Sequence, residues 1–191
     1  MKLYKPKFWD NKIGFLSIIL FPLSLIFIFV THLNRKISKR KVFKLPIICV
    51  GNIYLGGTGK TPTSIFLARE LSKLGKKAVI LRKYYKSHAD EYKLIKNSFK
   101  NLIINKNRAD GINDAEKNGF DFVILDDGLQ DHRINKNIKI VCFNSNQLIG
   151  NGLVFPAGPL RERLNSIKDA DIIIINGKKN ITFEKKILNF N

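Results

Sequence analysis

The chain has 191 residues, enough for one domain with an appendage and a proper buried core. Its 34 Lys and Arg against 15 Asp and Glu give a formal net charge of +19, which points to an anionic partner: nucleic acid, anionic lipid or a phosphorylated substrate. The two cysteines, Cys49 and Cys142, each lie inside an apolar run without metal-ligand spacing, so buried reduced thiols are expected rather than a disulfide scaffold or a cysteine metal site. Lysine and asparagine recur along the whole chain, so part of the charge is a compositional background on solvated faces.

Residues 13–30 form an uncharged apolar run at the lower length limit for a bilayer-spanning helix. It has no small-residue cleavage site, and Arg35, Lys36, Lys39, Arg40, Lys41 and Lys44 follow it, which argues against a secretory signal. Pro22, near its middle, is expected to kink a continuous helix. One reading is a spanning helix with the basic cluster on the cytoplasmic side. The other is a monotopic anchor in one leaflet, with Lys2, Lys5, Lys7 and Lys12 also at the headgroups. Positive residues on both flanks and the central proline favour the second. Residues 1–44 are therefore expected to be a membrane-anchor helix with basic flanks. Much of the positive charge then faces lipid; with no recognisable binding module, no nucleic-acid partner is expected.

Residues 45–50 are a short apolar, β-branched run that reads as a buried strand. Gly51-Asn52-Ile53-Tyr54-Leu55-Gly56-Gly57-Thr58-Gly59-Lys60-Thr61-Pro62 follows directly. Over residues 64–74 apolar side chains at Ile65, Phe66, Ala68, Leu71 and Leu74 keep close to helical spacing, and Gly75 is a natural stop. Strand, glycine loop ending in Gly-Lys-Thr, then helix is the P-loop context. Backbone N–H groups cradle phosphates, the lysine neutralises β- and γ-oxygens, and the threonine hydroxyl ligates magnesium. Tyr54, Leu55, Gly56, Gly57, Thr58, Gly59, Lys60 and Thr61 are thus the candidate nucleotide cradle, although Tyr54 stands where the common pattern has its first glycine.

Further along, residues 77–81 read as a strand, 82–91 as a polar loop, 92–99 as a short helix and 102–104 as another strand. Residues 109–118 look helical, ending at Gly119, and an apolar strand over 120–125 runs into Asp126-Asp127-Gly128. Two more strands are expected over 138–143 and 171–176. Strands alternating with helices predict an α/β, P-loop-NTPase-like parallel sheet with flanking helices over residues 45–191. Asp126 and Asp127 end an apolar strand, the position from which a Walker B acid reaches magnesium beside the P-loop threonine. Gly150-Asn151-Gly152 and the run Pro156-Ala157-Gly158-Pro159-Leu160-Arg161-Glu162 form a rigid turn-rich loop. Its Arg161 and Glu162 meet phosphate or metal in one reading and form a surface ion pair in the other.

Taken in order, these pieces resemble the tetraacyldisaccharide 4'-kinase family, the lipid A 4'-kinases of Gram-negative bacteria. They are Lys7-Phe8-Trp9, the apolar anchor, Val50-Gly51-Asn52 leading into Gly-Gly-Thr-Gly-Lys-Thr-Pro, Asp126-Asp127-Gly128-Leu129-Gln130, and the 150–152 and 156–162 motifs. The P-loop variant without the early glycine is the family's own. The resemblance implies magnesium-dependent transfer of the ATP γ-phosphate to the 4'-hydroxyl of a tetraacyl glucosamine disaccharide 1-phosphate, the lipid A precursor, at the cytoplasmic face of the bacterial inner membrane. Lys60 acts on the transferring phosphate in this reading, and Thr61, Asp126, Asp127 and Glu162 are the candidate magnesium ligands. The family's catalytic base is an aspartate in Gly-Asp-Glu-Pro; Ala89-Asp90-Glu91-Tyr92 holds that place, which makes Asp90 the candidate base.

The chain departs from the family pattern in several places. Ser-Arg-Gly-Tyr-Gly becomes Leu81-Arg82-Lys83-Tyr84-Tyr85, and Asp131 stands where a histidine is expected, with His132 one place late. Family members continue beyond the position of Asn191 into a second lobe that contributes an active-site histidine, so a minimal enzyme, a fragment and an inactive nucleotide-binding remnant stay open. A membrane-tethered P-loop ATPase of the partitioning or tyrosine-kinase type is the competing enzyme class. It predicts a second lysine early in the P-loop or a tyrosine-rich tail, and the sequence has neither.

Overall fold

The computed structural model describes residues 5–188, with the backbone alone for 186 and 188; Lys2, counted above among the headgroup lysines, lies outside the described residues. The helices are α1 (Phe15–Ile37), α2 (Lys60–Lys73), α3 (Ala89–Ser98), α4 (Arg108–Lys117) and α5 (Ile181–Leu188). The strands are β1 (Ile47–Gly51), β2 (Ala78–Lys83), β3 (Leu102–Asn105), β4 (Phe122–Asp126), β5 (Ile138–Asn144) and β6 (Ile172–Asn176), in the sheet order β3-β2-β4-β1-β5-β6. Pairing is parallel between β1 and β4, β4 and β2, and β2 and β3. This is the expected α/β class.

Two compact units divide the chain. Residues 39–51 and 59–140 make one, holding β1 to β4 and α2 to α4. β1, β2 and β4 are buried on both faces, as continuous apolar runs in a parallel sheet must be, while the edge strand β3 is partly exposed. Ile47, Cys49, Val79, Leu81, Val123 and Leu125 form the centre of its core, closed on one side by Ile112 and Ala115 of α4. Register decides where the site lies. Val50 and Arg82 both pair with Asp126, so three strands bring their carboxyl ends to one level.

Residues 1–38, 52–58 and 141–191 make the other unit. Here α1 is docked by polar atoms. The Ser24 hydroxyl donates to the Val154 carbonyl at 2.8 Å and accepts from the Ala157 N–H at 3.0 Å. Asn151 Nδ2 donates to Ser17 Oγ at 3.2 Å, and the Trp9 indole N–H donates to the Pro156 carbonyl at 3.1 Å. Most apolar side chains of α1, among them Phe15, Leu16, Ile18, Ile19, Phe21, Leu23, Ile26 and Phe29, are exposed, while Phe27 packs edge-on against Phe155.

The structure corrects several boundaries. α1 runs seven residues past 30, through the polar turn that holds Arg35, and stops where the Ser38 N–H bonds the Asn34 carbonyl. Pro22 sits inside the helix without breaking it, because proline removes one hydrogen bond from a 23-residue ladder. α2 starts at Lys60, not at 64, so the P-loop lysine and threonine occupy its first turn. The largest departure falls on 82–91. There β2 continues through the buried Arg82, and α3 begins at Ala89 with Asp90 and Glu91 in its first turn, where acids favour a helix start. α5 and the 3-10 segment Leu164–Asp169 were not expected from sequence.

Candidate functional site

The chain leaves β1 into a loop whose carbonyls are tied by side-chain amides. Asn52 Nδ2 donates to the Tyr54 and Gly56 carbonyls at 2.6 and 3.1 Å. Asn144 Nδ2 donates to the Gly57 carbonyl at 3.4 Å and Asn176 Nδ2 to the Thr58 carbonyl at 2.8 Å. Tying carbonyls in this way turns them away from the loop's interior, as an anion cradle of N–H groups requires, although the Leu55 N–H is itself spent on the Pro159 carbonyl at 2.8 Å. Gly59 then turns the chain at φ 84°, a left-handed geometry that favours glycine, and caps α2 without a side-chain hydrogen bond. The first N–H groups of α2 present the positive end of a 14-residue helix. The Tyr54 side chain is fully buried in its own unit, its hydroxyl 3.4 Å from Asp10 Oδ1 and its ring under the Lys5 ammonium at 5.0 Å. Only its backbone belongs to the loop.

Lys60, Thr61, Asp126 and Asp127 come together at the carboxyl end of the sheet. Asp126 is 0 % exposed. Its Oδ2 accepts from the Thr61 hydroxyl at 3.0 Å and from Arg82 Nη1, and its Oδ1 accepts from the Ser64 hydroxyl at 3.2 Å. Asp127 has φ 61°, its carboxylate lies 3.6 Å from Lys60 Nζ, and its carbonyl accepts from Arg108 Nη2 at 2.6 Å. The close approach at Gly128 allows this turn, since a Cβ there would stand 2.9 Å from Leu125 Cβ and 3.2 Å from Cys49 Sγ.

Arg82 joins this set unpredicted. Besides Asp126, its Nη1 donates to Thr61 Oγ1 at 3.0 Å, and its Nη2 pairs with Glu91 and lies 3.4 Å from His88 Nδ1. Burial, reinforced by the Arg82 charge, pushes the His88 imidazole below its ordinary value, and its Nδ1 also lies 3.6 Å from Glu91 Oε2. Asp90 is exposed in the first turn of α3, with no ion pair or hydrogen bond among the described residues; the side chain that reaches the acid cluster is its neighbour Glu91. Asp131 pairs with Arg108 and Arg133. Burial works against its charged form, but hydrogen bonds and charge from Arg133, with Arg108 beside it, hold its carboxyl below the usual range. Glu162 lies half-buried in the other unit, two residues past Leu160, which bridges to Tyr54.

The residues present suit magnesium. Among the described residues no group of three His, Cys, Asp or Glu side chains could hold a metal ion. Magnesium beside phosphates needs only one or two protein oxygens, and the Thr61 hydroxyl and Asp126 carboxylate are hard donors already 3.0 Å apart. A sequence signal existed for Arg82, a charge closing an apolar run in the strand beside the acid strand. None existed for Asn52, Asn144, Asn176 or Ser64, whose polar contacts are set by the fold.

Comparison with known proteins places this arrangement. The family model for tetraacyldisaccharide-1-P 4'-kinase matches residues 16–189. A tetraacyldisaccharide 4'-kinase of Pelagibacter ubique is 44% identical over 181 residues, which cover 94% of this chain and 57% of that protein. The one of Francisella philomiragia is 35% identical over 213 residues, covering 98% and 64%. Among solved structures, LpxK from Aquifex aeolicus in complex with ATP aligns with a TM-score of 0.72 at 26% identity, over 84% of this chain and 58% of that one. The chain thus spans somewhat under two thirds of the length of these relatives. Since the family model takes in nearly all of the sequence, the chain belongs to the tetraacyldisaccharide-1-P 4'-kinase family.

Proposed function

We propose that this chain binds ATP and transfers its γ-phosphate to the 4'-hydroxyl of a tetraacyldisaccharide 1-phosphate, at the cytoplasmic face of the bacterial inner membrane. Residues 1–44 serve as its anchor and residues 45–191 as its catalytic part. The observation that carries the reading is the pairing of the Thr61 hydroxyl with Asp126 and of Lys60 with Asp127 where a P-loop runs into α2. Family membership supplies the acceptor, and the ATP-bound Aquifex relative supports the donor.

Each residue has a role in this reading. Lys60 neutralises charge on the β- and γ-oxygens, and the tied loop presents its N–H groups to the same phosphates. Magnesium, held by Thr61 and Asp126 with Asp127 and Glu162 as further oxygen donors, supplies Lewis-acid charge stabilisation there. Asp90 takes the proton of the sugar hydroxyl, a weak nucleophile. Its place in the first turn of α3, next to the Glu91 that reaches Arg82, supports that role.

The anchor is monotopic in this reading. Ser24, near the middle of α1, is bonded to the irregular 154–157 segment. An upright spanning helix would carry that segment to the centre of the hydrocarbon, where its backbone has no water. A helix lying in one leaflet buries the exposed apolar side chains of α1 and leaves the docked loop at the interface. The deciding experiment incubates the chain with γ-labelled ATP, magnesium and tetraacyldisaccharide 1-phosphate in detergent micelles. Label at the 4'-position is the expected result. ATP binding without any transfer would contradict catalysis and leave a nucleotide-binding protein.

A further inference from the structure

Arg82 is 4 % exposed and ends β2 directly across from Asp126. A buried carboxylate without a cationic partner is costly, and Asp126 meets the Arg82 guanidinium. The two oxygens that Nη1 contacts, Thr61 Oγ1 and Asp126 Oδ2, are the same two that suit magnesium. One oxygen pair therefore has two positive claimants, and mutual repulsion prevents both from occupying it.

We infer that Arg82 is the resident counter-charge of the acid corner: it neutralises Asp126 while no divalent cation is bound, yields Thr61 Oγ1 and Asp126 Oδ2 when a nucleotide-bound cation arrives, and keeps Glu91 throughout. The inference rests on the reading of Thr61 and Asp126 as cation ligands. Glu91 is half exposed and its carboxylate already pairs with Nη2, so the guanidinium retains a partner when Nη1 gives up the corner. His88 Nδ1 lies 3.4 Å from the same nitrogen and 3.6 Å from Glu91 Oε2, so the ring packs against the Arg82–Glu91 pair. Because Glu91 belongs to the first turn of α3, cation entry is coupled to the turn that carries Asp90. Arg82 is thus a positioning residue joining the cation corner to the candidate base.

The test has two arms. The first uses no nucleotide: thermal unfolding of the wild-type chain and of Arg82→Gln is followed in EDTA and in millimolar magnesium. Without the guanidinium Asp126 lacks its counter-charge, so magnesium alone should raise the Tm of Arg82→Gln by about 2–4 °C, the shift that goes with roughly 1 kcal/mol in a chain of this size. The wild-type chain should barely respond. If Arg82→Gln does not fold, Arg82→Lys, which keeps charge but loses the fork, replaces it and should still respond more than wild type. Equal responses in wild type and variant overturn the inference.

The second arm uses Glu91→Gln, which leaves the buried Arg82–Asp126 pair in place. ATP affinity is measured with and without magnesium. The gain in affinity from magnesium should fall by about fivefold or more, the scale of a site-to-site coupling. Affinity in EDTA should not change. Equal loss in both conditions, or no loss, overturns the proposed hand-over. A wild-type chain that binds no ATP overturns the kinase reading instead, and the nucleotide-free arm then decides the role of Arg82.

Discussion

The two longest helices treat their apolar side chains differently. α2 buries Ile65 and Ala68 beside Thr63 and Ser64, exposes Phe66, and turns Arg69 and Lys73 outward; the Ser64 hydroxyl is spent on Asp126. α1 buries only Ser17 and Ser24 and exposes most of its phenylalanines, leucines and isoleucines. A helix apolar nearly all round is stable only where something other than water covers it. In the proposed reading α2 belongs to the nucleotide-binding part and α1 to a lipid surface, and the polar atoms α1 buries make it a docked element rather than a free tether.

The comparison breaks hardest at the phosphate end. Asp90→Asn should lower turnover by about two to four orders of magnitude, the usual worth of a general base, with ATP–magnesium affinity nearly unchanged. Asp126→Asn should instead lose the magnesium-dependent part of nucleotide binding as well as turnover. Parallel titration and kinase assays of the two variants separate these roles, and equal loss of nucleotide binding in both contradicts Asp90 as base. At the lipid end, removing residues 1–30 should release much of the protein from anionic vesicles. The remaining basic cluster, from Arg35 to Lys44, should hold a fraction that salt removes. Unchanged sedimentation with vesicles in high salt would show that α1 is not the main anchor.

A smaller effect sharpens the docking claim. Ser24→Val should leave the Ala157 N–H without its partner, while the Val154 carbonyl keeps the Gly158 N–H at 3.1 Å, and destabilise the chain by about 1–3 kcal/mol. Thermal unfolding in detergent reads this directly, and a neutral outcome would mean that α1 is held by other contacts. The smallest effect concerns Asp131. Its carboxyl lies below the usual range in the folded chain, so it contributes stability above the unfolded value, lost as pH falls through the folded one. Asp131→Asn should therefore weaken stability near neutrality and flatten its loss below about pH 4, as urea midpoints across that range would show.

The strand, glycine turn and helix around Lys60 were legible in the sequence because their signals are local. A β-branched run, a glycine loop and a Gly-Lys-Thr at a helix start are contiguous, and the acid pair ends an apolar strand of the same kind. Arg82 was read as loop because a charge normally ends a buried strand, and only its pairing with Asp126 and Glu91 lets β2 continue through it. Asn176 ties the Thr58 carbonyl across 118 residues of chain, a contact that no spacing rule reports. The apolar window revealed α1 but not its length, since hydropathy falls at His32 while the helical hydrogen bonds run on to Ser38.

The proposed phosphoryl transfer depends on nucleotide binding at the start of α2, and an equilibrium titration with ATP and magnesium tests that most directly. The wild-type chain should saturate, and Lys60→Ala should bind more weakly by about tenfold, as loss of a charged contact worth roughly 1.5 kcal/mol requires. A wild-type chain that binds no ATP, or a Lys60→Ala variant that binds it equally well, would contradict the account.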